Sequence, residues 1–400
     1  MNLLSDPNVY EPQEDSFLMQ RLVSQFAFGS VLEIGAGSGI LSITAAEKKS
    51  VLSVLACDIN EKALVLAKKN AALNSVRKKI CFAKSDLFSN LGKKRFDFII
   101  FNPPYLPADR RCPDDMMEKA LSGGKKGHET LERFLISLSE HLFPDGKALI
   151  IFSSLTGKAK IDSLISECLL EKEEVASEKL GFEELYSYLI STSALLKKIE
   201  FCGISSVRKF AKGHRGIVYS GILRGRKVAI KAENPESKAI GRIQNEERML
   251  SIVNVKGIGP KLLISENDFF VEKFVEGEKI LEYLLGCNKK EALLVISKIL
   301  KQCFILDKMG IGKEEMHHPI KHVLVSKNKA VMIDFERAHF AKSPSNVTQF
   351  CQFICSSMIS GLLSEKGLKI DRNSILGLCR EYKKDYSQEK LRTIIASIGN

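Results

Sequence analysis

The sequence predicts two folds in one chain: an α/β half on a parallel sheet, then an α+β half with its sheet first and helices after. Three observations carry this. Four hundred residues exceed one ordinary domain and suit two. In the first half, short runs rich in Ile, Val, Leu and Phe alternate with helical patterns, the pattern of a parallel sheet with helices on both faces. Past about residue 200 a β-rich stretch with tight turns gives way to helices.

The elements follow in order. VLEIG, VLSVLACD, ICFA, FDFIIF and KALIIFSS are the candidate strands. EKALVLAKKNAALN and ETLERFLISLSEHL are the clearest helices between them, with apolar residues at helical spacing. A polar helix and two last strands, near EEVASEKL and LYSYLIS, close this half. STSALL, from Ser191 to Leu196, reads as a linker, so the expected domains are residues 1–194 and 195–400. KFAKGHRGIVYSGILRGRKVAIKA opens the second half as sheet, with RGR as a hairpin turn. Residues from about Glu236 to Val253 read as helix, and after FFVEKFVEG the chain is mostly helical. There is no internal repeat and no low-complexity tract.

Composition bounds the function. Apolar residues make up 44% of the chain, enough for real cores. No apolar run approaches the ~18 residues of a membrane span, and MNLLSDPNVYEPQED does not have the pattern of a secretion signal. The ten cysteines are scattered without a CxxC pair, which argues against structural zinc and for free thiols in a reducing cytoplasm. In that compartment the Asn346-Val-Thr match is not a glycan site. The formal net charge is +12, and the excess lies in the second half of the chain. That suits phosphate or RNA as a neighbour, although a basic surface also serves solubility.

Glu33-Ile-Gly35-Ala-Gly37-Ser-Gly39 lies between a strand and a helix. Its glycines let the backbone approach a ligand, and the helix N-terminus behind favours polar groups. A glycine loop alone is often only a tight turn. Here Asp58 ends the next strand, about 20 residues on, where a carboxylate accepts ribose hydroxyls. Asp86 follows the third strand. Three successive strands therefore end in polar groups on one sheet edge, the edge where open α/β sheets bind ligands.

FDFIIFNPPYLP puts Asn102, Pro103, Pro104 and Tyr105 at the end of the fourth strand. Two prolines make this turn rigid. Asn102 and a neighbouring carbonyl can grip both hydrogens of a planar –NH₂ group, and Tyr105 can pack on its face. The chemistry this suits is methylation of an sp² nitrogen. Such a nitrogen is a poor nucleophile, and positioning supplies much of the rate.

VYEPQEDSFLM, LEIGAGSGI, ACDIN, SDLF, FNPPYLP and SGGKKGHETLERFL occur in this order. Together they resemble the class I S-adenosylmethionine-dependent methyltransferases from about Val9 to Thr192. More narrowly they resemble the archaeal and eukaryotic branch of the HemK-type protein glutamine N5-methyltransferases. NPPY alone is shared with adenine-amine methyltransferases; the opening motif and the GGKKG loop point to HemK. The resemblance implies a Rossmann-like sheet. It implies that Ser16, Glu33 and Gly35 line the methionine and ribose side of the cofactor, with Gly37 and Gly39 completing the loop. Asp58 would hold the ribose, Asp86 and Leu87 the adenine edge, and Asn102 the substrate amide. The implied substrate is the glutamine of the GGQ loop in a translation release factor, and related enzymes use a small zinc-binding activator subunit.

In the second half, Gly213-His-Arg-Gly216 resembles a kinase glycine loop whose first glycine is Ala211. Val228-Ala-Ile-Lys231 matches the strand with the phosphate-binding lysine. Glu246 is placed to pair with Lys231, and Asp334 in IDFE matches the strand-end aspartate that holds magnesium, with Glu336 for the usual glycine. The catalytic loop, GIGKEEMHHPIKHVLV, departs from the pattern: Glu315 stands in the aspartate's place and His322 in that of the metal-binding asparagine, two residues late. Residues 205–360 resemble small archaeal Ser/Thr kinases related to the RIO kinases and to the kinase of the KEOPS complex. That resemblance implies ATP and Mg²⁺, an α+β reduced protein-kinase-like domain, and either phosphate transfer, ATP hydrolysis or nucleotide sensing. His317 and His318 read as structural or phosphate-facing, and Arg110-Arg111 as a substrate loop rather than an RNA contact.

The reading is a cytoplasmic fusion of a glutamine methyltransferase acting on a release factor with a kinase-like ATP-binding domain. One rival changes the methyl acceptor to an adenine amine in RNA, gripped by the basic half. Another makes the second half a non-catalytic nucleotide-binding or scaffolding module.

Overall fold

A computed structural model describes residues 1–104, 124, 127–212, 216–233 and 242–399. The chain divides into two compact units, Met1–Arg208 with Ile222–Arg224, and Lys209–Gly221 with Gly225–Asn400.

The first unit is built on seven strands: β1 (Gly29–Ile34), β2 (Val51–Asp58), β3 (Ile80–Lys84), β4 (Phe96–Phe101), β5 (Leu142–Ser153), β6 (Leu170–Leu180) and β7 (Glu183–Thr192). Their order in the sheet is β3-β2-β1-β4-β5-β7-β6. The first five run parallel, and β7 pairs antiparallel with both β5 and β6. This is a Rossmann-like mixed α/β sheet. β4 shows why its sequence is apolar without alternation: Phe98, Ile99 and Ile100 are fully buried, as in a central strand covered on both faces. β6 sits at an edge, and its run of Glu and Lys is mostly exposed, which blocks pairing with another chain. Four helices matter for the site: α1 (Glu14–Phe26), α2 (Ile40–Glu47), α3 (Glu61–Leu73) and α4 (Glu129–His141). The strand order reverses between β1 and β4, where Ile34 pairs with Phe101. A crevice opens at the carboxyl ends of strands at such a switch point.

The stretch read as a linker is structured. Ser191 and Thr192 finish β7, and Ser193 caps a helix over Ala194–Phe201 by accepting from the Leu196 amide. Leu196 and Ile199 are fully buried, which small polar residues around them concealed in the sequence.

A five-stranded sheet follows, ordered β11-β12-β10-β9-β8, with most of its residues in the second unit. Its strands are β8 (Ile204–Lys212), β9 (Gly216–Leu223), β10 (Arg226–Glu233), β11 (Leu262–Ser265) and β12 (Phe269–Lys273). The RGR turn between β9 and β10 has φ of 50° at Arg224 and 73° at Gly225, the left-handed pair that a tight hairpin needs. A helix over Arg242–Asn254 follows, and the rest is mostly helical, with a short hairpin of Val323–Ser326 and Lys329–Met332. The longest helix, Lys289–Lys308, starts with a capping box between Asn288 and Glu291. Near its end the buried Asp307 accepts from the backbone and side chain of Asn346, from the Val347 amide and from the Tyr382 hydroxyl. Asn346 is itself buried in this hub, so the glycan motif around it is inaccessible. Among the described residues no single helix is long and apolar enough to cross a membrane.

Candidate active site

In the first unit a cavity of about 690 Å³ opens at the switch point. The glycine loop forms one wall. The amides of Gly35 and Ala36 donate to the Cys57 carbonyl at 2.8 and 3.0 Å, which ties the loop to the end of β2. Gly39 caps α2 at φ 85°, and a Cβ there would lie 3.0 Å from that of Ala67. Close packing of α2 on α3 therefore requires glycine at this position.

The acidic residues are held by specific partners. Asp58 accepts from the Gly37 amide at 2.9 Å and the Asn60 amide at 2.8 Å. Burial raises its pKa while these amides oppose the rise. Glu33 is fully buried under the loop and accepts from the Ser42 hydroxyl. Burial pushes its carboxyl up to about 8, against the lowering effect of Ser42. Asp86 pairs with Arg133 of α4 at 2.7 Å. Leu87 lines the same wall at φ 48°, with its carbonyl accepting from Ser85.

Asn102, Pro103 and Pro104 line the cavity beside the glycine loop, where a Cβ at Gly35 would lie 3.8 Å from the Asn102 carbonyl oxygen. The Asn102 side chain donates through Nδ2 to Asp15 Oδ2 at 2.9 Å. Its Oδ1 is buried with no hydrogen-bond partner among the described residues. A carboxylate only accepts, so the contact with Asp15 fixes which end of the amide faces away from it. Asp15 is held in turn by the Ser16 amide at 2.6 Å, the Ser16 hydroxyl at 3.2 Å and the Tyr10 hydroxyl at 3.3 Å. Ser16 thus lines the cavity with its hydroxyl turned to Asp15. The expected role of Tyr105 falls outside the described residues, as do Arg110-Arg111 and Gly213.

Comparison with known proteins identifies this unit. The methyltransferase small domain family matches residues 2–183. A protein of Methanocaldococcus jannaschii named as an N5-glutamine methyltransferase is 43% identical over 180 residues, covering 45% of this chain and 89% of that protein. The chain belongs to the protein N5-glutamine methyltransferase family. The release factor glutamine methyltransferase of Aquifex aeolicus is 29% identical over 158 residues, 38% of this chain and 56% of that one. The chain spans only about half the length of such release-factor relatives. The solved Mtq2–Trm112 complex of E. cuniculi, which methylates the eRF1 termination factor, matches at 20% identity and a TM-score of 0.38, over 46% of this chain and 99% of that one.

The glutamine methyltransferase is S-adenosylmethionine-dependent, and the cavity suits that cofactor. It falls within the roughly 300–1,000 Å³ of small-molecule sites. It combines a glycine-lined wall, the ionisable pair Glu33 and Asp58, and an apolar and polar edge at Ser85–Leu87. Three neighbours of these groups are absent from the sequence expectations. Asp15 stands inside the quoted YEPQEDSF, but nothing local tells that it orients Asn102. Tyr10 and Arg133 reach the site only through folding.

In the second unit Lys231 on β10 pairs with Glu246 at 2.5 Å and with Glu272 on β12 at 3.4 Å. Burial disfavours the lysine charge, but the two carboxylates outweigh it and raise its pKa. Burial raises Glu272 to about 7, with Lys231 working against it. Glu246 also accepts from the Phe335 amide at 3.1 Å. Glu315, His322 and Asp334 converge, with His322 Nδ1 at 3.4 Å from a carboxylate oxygen of each. Burial works against the Asp334 charge, but His322, Lys231 and Lys313 prevail and hold its pKa below the usual carboxylate range. Lys313, fully buried two residues before Glu315, donates to the carbonyls of Ile333 and Asp334 and lies 4.7 Å from the Phe335 ring. It and Glu272 were absent from the sequence expectations. Gly216 opens β9. His317 and His318 are exposed and lie beside one another.

Proposed function

We propose that the first unit methylates the glutamine amide of the GGQ loop in a translation release factor. The observation that carries this reading is the Asn102 side chain, tethered through Nδ2 to Asp15 with Oδ1 buried and unpaired. An acceptor so held takes one hydrogen of a planar amide, and a strand-end carbonyl takes the other. The substrate nitrogen is then aimed rather than deprotonated. S-adenosylmethionine, when bound, supplies an electrophilic methyl group. In this reading Ser16, Glu33, Gly35, Gly37 and Gly39 border its methionine and ribose, Asp58 holds the ribose hydroxyls, and Asp86 with Leu87 meets the adenine. Pro103 and Pro104 stiffen the acceptor side, and Tyr105 keeps its expected role of packing on the substrate amide. The name of the Aquifex aeolicus relative supports a release-factor substrate, and a small zinc-binding activator subunit is the proposed partner on the family resemblance.

The test is methyl transfer from labelled S-adenosylmethionine to purified release factor, to its Gln→Ala GGQ variant and to RNA. Label in the first alone is expected. Label in RNA and not in the release factor would favour the adenine-amine reading, for which the positive charge of the second half speaks.

We further propose that the two compact units are separate domains, divided near Arg208 rather than at the expected residue 194, and that the second is a reduced RIO-like domain that binds ATP. Lys231, steadied by Glu246, faces the phosphates, and Asp334 and His322 face a metal, with Gly213 and Gly216 in the phosphate loop. The observation in favour is the buried Lys231–Glu246 pair, the arrangement that kinases require. Mg-ATP affinity of the full chain and of Lys231→Ala tests it. Equal affinity would leave the scaffolding alternative. Free cysteines throughout the described residues fit a cytoplasmic protein.

A further inference from the structure

We infer that the second unit holds a first-row transition dication, in preference to magnesium, on Glu315, His322 and Asp334. This deepens the ATP-binding reading and rests on it for what the metal serves; the site itself rests on the following geometry.

The three ligand atoms lie within 4.8 Å of one another. His322 Nδ1 is 3.4 Å from Glu315 Oε2 and 3.4 Å from Asp334 Oδ2. Ligands about 2.1 Å from one ion stand roughly 3.0–3.4 Å apart at octahedral or tetrahedral angles. The two spacings from His322 are therefore those of a chelate. Glu315 Oε2 and His322 Nδ1 are both buried and have no hydrogen-bond partner among the described residues. Two carboxylate oxygens and one imidazole nitrogen that face one another form a donor set a cation can fill.

The surroundings fix each ligand. Arg337 lies 3.5 Å from the other oxygen of Glu315, which leaves Oε2 for the site. Lys313 holds the backbone of Asp334, a residue at φ 63°. His322 is tied by its amide to Pro319 and by its carbonyl to the Ile333 amide, both at 2.9 Å. The ligands come from two segments braced against one another, so little ordering remains to be done on binding.

The donor set chooses the metal class. In the usual kinase loop an asparagine supplies an oxygen at this place. Here the donor is imidazole nitrogen, which suits transition dications, whereas magnesium prefers oxygen and sheds water reluctantly. Glu315 is then a ligand, which takes it out of the proton-accepting role expected from the sequence.

The test uses the full chain stripped with chelator, and Mn²⁺ alone as probe. Paramagnetic titration is expected to give Mn²⁺ binding tighter than Mg²⁺ in direct competition. Pulsed spectroscopy of the bound Mn²⁺ is expected to show coupling to a coordinated imidazole nitrogen. His322→Asn should lose that coupling and most of the preference over magnesium, and Glu315→Gln should weaken Mn²⁺ at least tenfold. Equal affinity for the two metals, or bound Mn²⁺ without nitrogen coupling in the wild type, overturns the inference and leaves a protonated His322 between two carboxylates. The nitrogen signal needs no variant, so misfolding cannot mask the answer. Lys231 is not a ligand. Its Ala variant should keep the nitrogen coupling whether or not ATP still binds, so the two readings fail separately.

Discussion

At the scale of the residue, Asn102 and Asp15 act as a pair. Asn102→Ala should reduce methyl transfer by at least ~100-fold with little change in S-adenosylmethionine affinity. A lost buried hydrogen bond costs about 1–3 kcal/mol, and lost alignment adds to it. Single-turnover kinetics with calorimetry of cofactor binding checks both numbers. Asp15 does not present itself as a substrate contact; it positions. Asp15→Asn can turn its own amide toward Asn102 and release the tether. The expected outcome is a lower kcat at nearly unchanged KM for cofactor. A loss confined to cofactor affinity would place Asp15 elsewhere in the mechanism.

Glu33 makes a prediction in pH. Its carboxyl is held up to about 8 by burial, against about 4.3 in an unfolded chain. Below pH 4 both states are protonated, and the group contributes no slope. As pH rises from about 4 to 8 the unfolded chain ionises first, so Glu33 makes the cofactor-free fold progressively less stable. Above about 8 the slope ends. Thermal unfolding of the wild type and Glu33→Gln across that window measures it. The variant should lose less stability between pH 5 and 8 than the wild type.

At the scale of the element, the β1–α2 turn is a tight constraint beside the site. Gly39→Val would set a β-branched side chain at φ 85° and drive its Cβ against Ala67. Strain of this kind costs about 1–3 kcal/mol, and the clash adds to it. The unfolding transition of the first unit should move down by several degrees, and cofactor should bind more weakly because the loop and α2 shift together. A transition at the wild-type temperature would contradict the packing account. The helix Ala194–Phe201 is the opposite case. Its sequence, flanked by Ser191, Thr192 and Ser193, resembles a linker, and only the burial of Leu196 and Ile199 reveals its part in the first unit.

At the scale of the whole molecule, the division after Arg208 has a consequence for truncation. A chain ending at Arg208 should fold and bind S-adenosylmethionine. One ending at residue 194 should be less stable, because it lacks Leu196 and Ile199. Two buried aliphatic side chains are worth roughly 3–6 kcal/mol together before entropy is counted. Comparing the melting temperatures of the two truncations tests this. Equal stability would show that the helix belongs to the second unit.

The amino-acid sequence by itself determined the alternation of strands and helices in the first half, the glycine loop and the Asn-Pro-Pro-Tyr turn. These are local: apolar run length, positive-φ glycines and prolines act over a few neighbours, so they can be read in one dimension. The family resemblance added the roles. Tertiary structure alone decided that Asp15 orients Asn102, that Arg133 answers Asp86, and that Lys313 braces Asp334. It also decided that Glu315 and His322, seven positions apart in the chain, reach Asp334. Each of these contacts joins residues whose chemistry is ordinary in isolation. A carboxylate becomes a tether, a ligand or a raised acid only when folding removes water from it and brings a particular partner within reach.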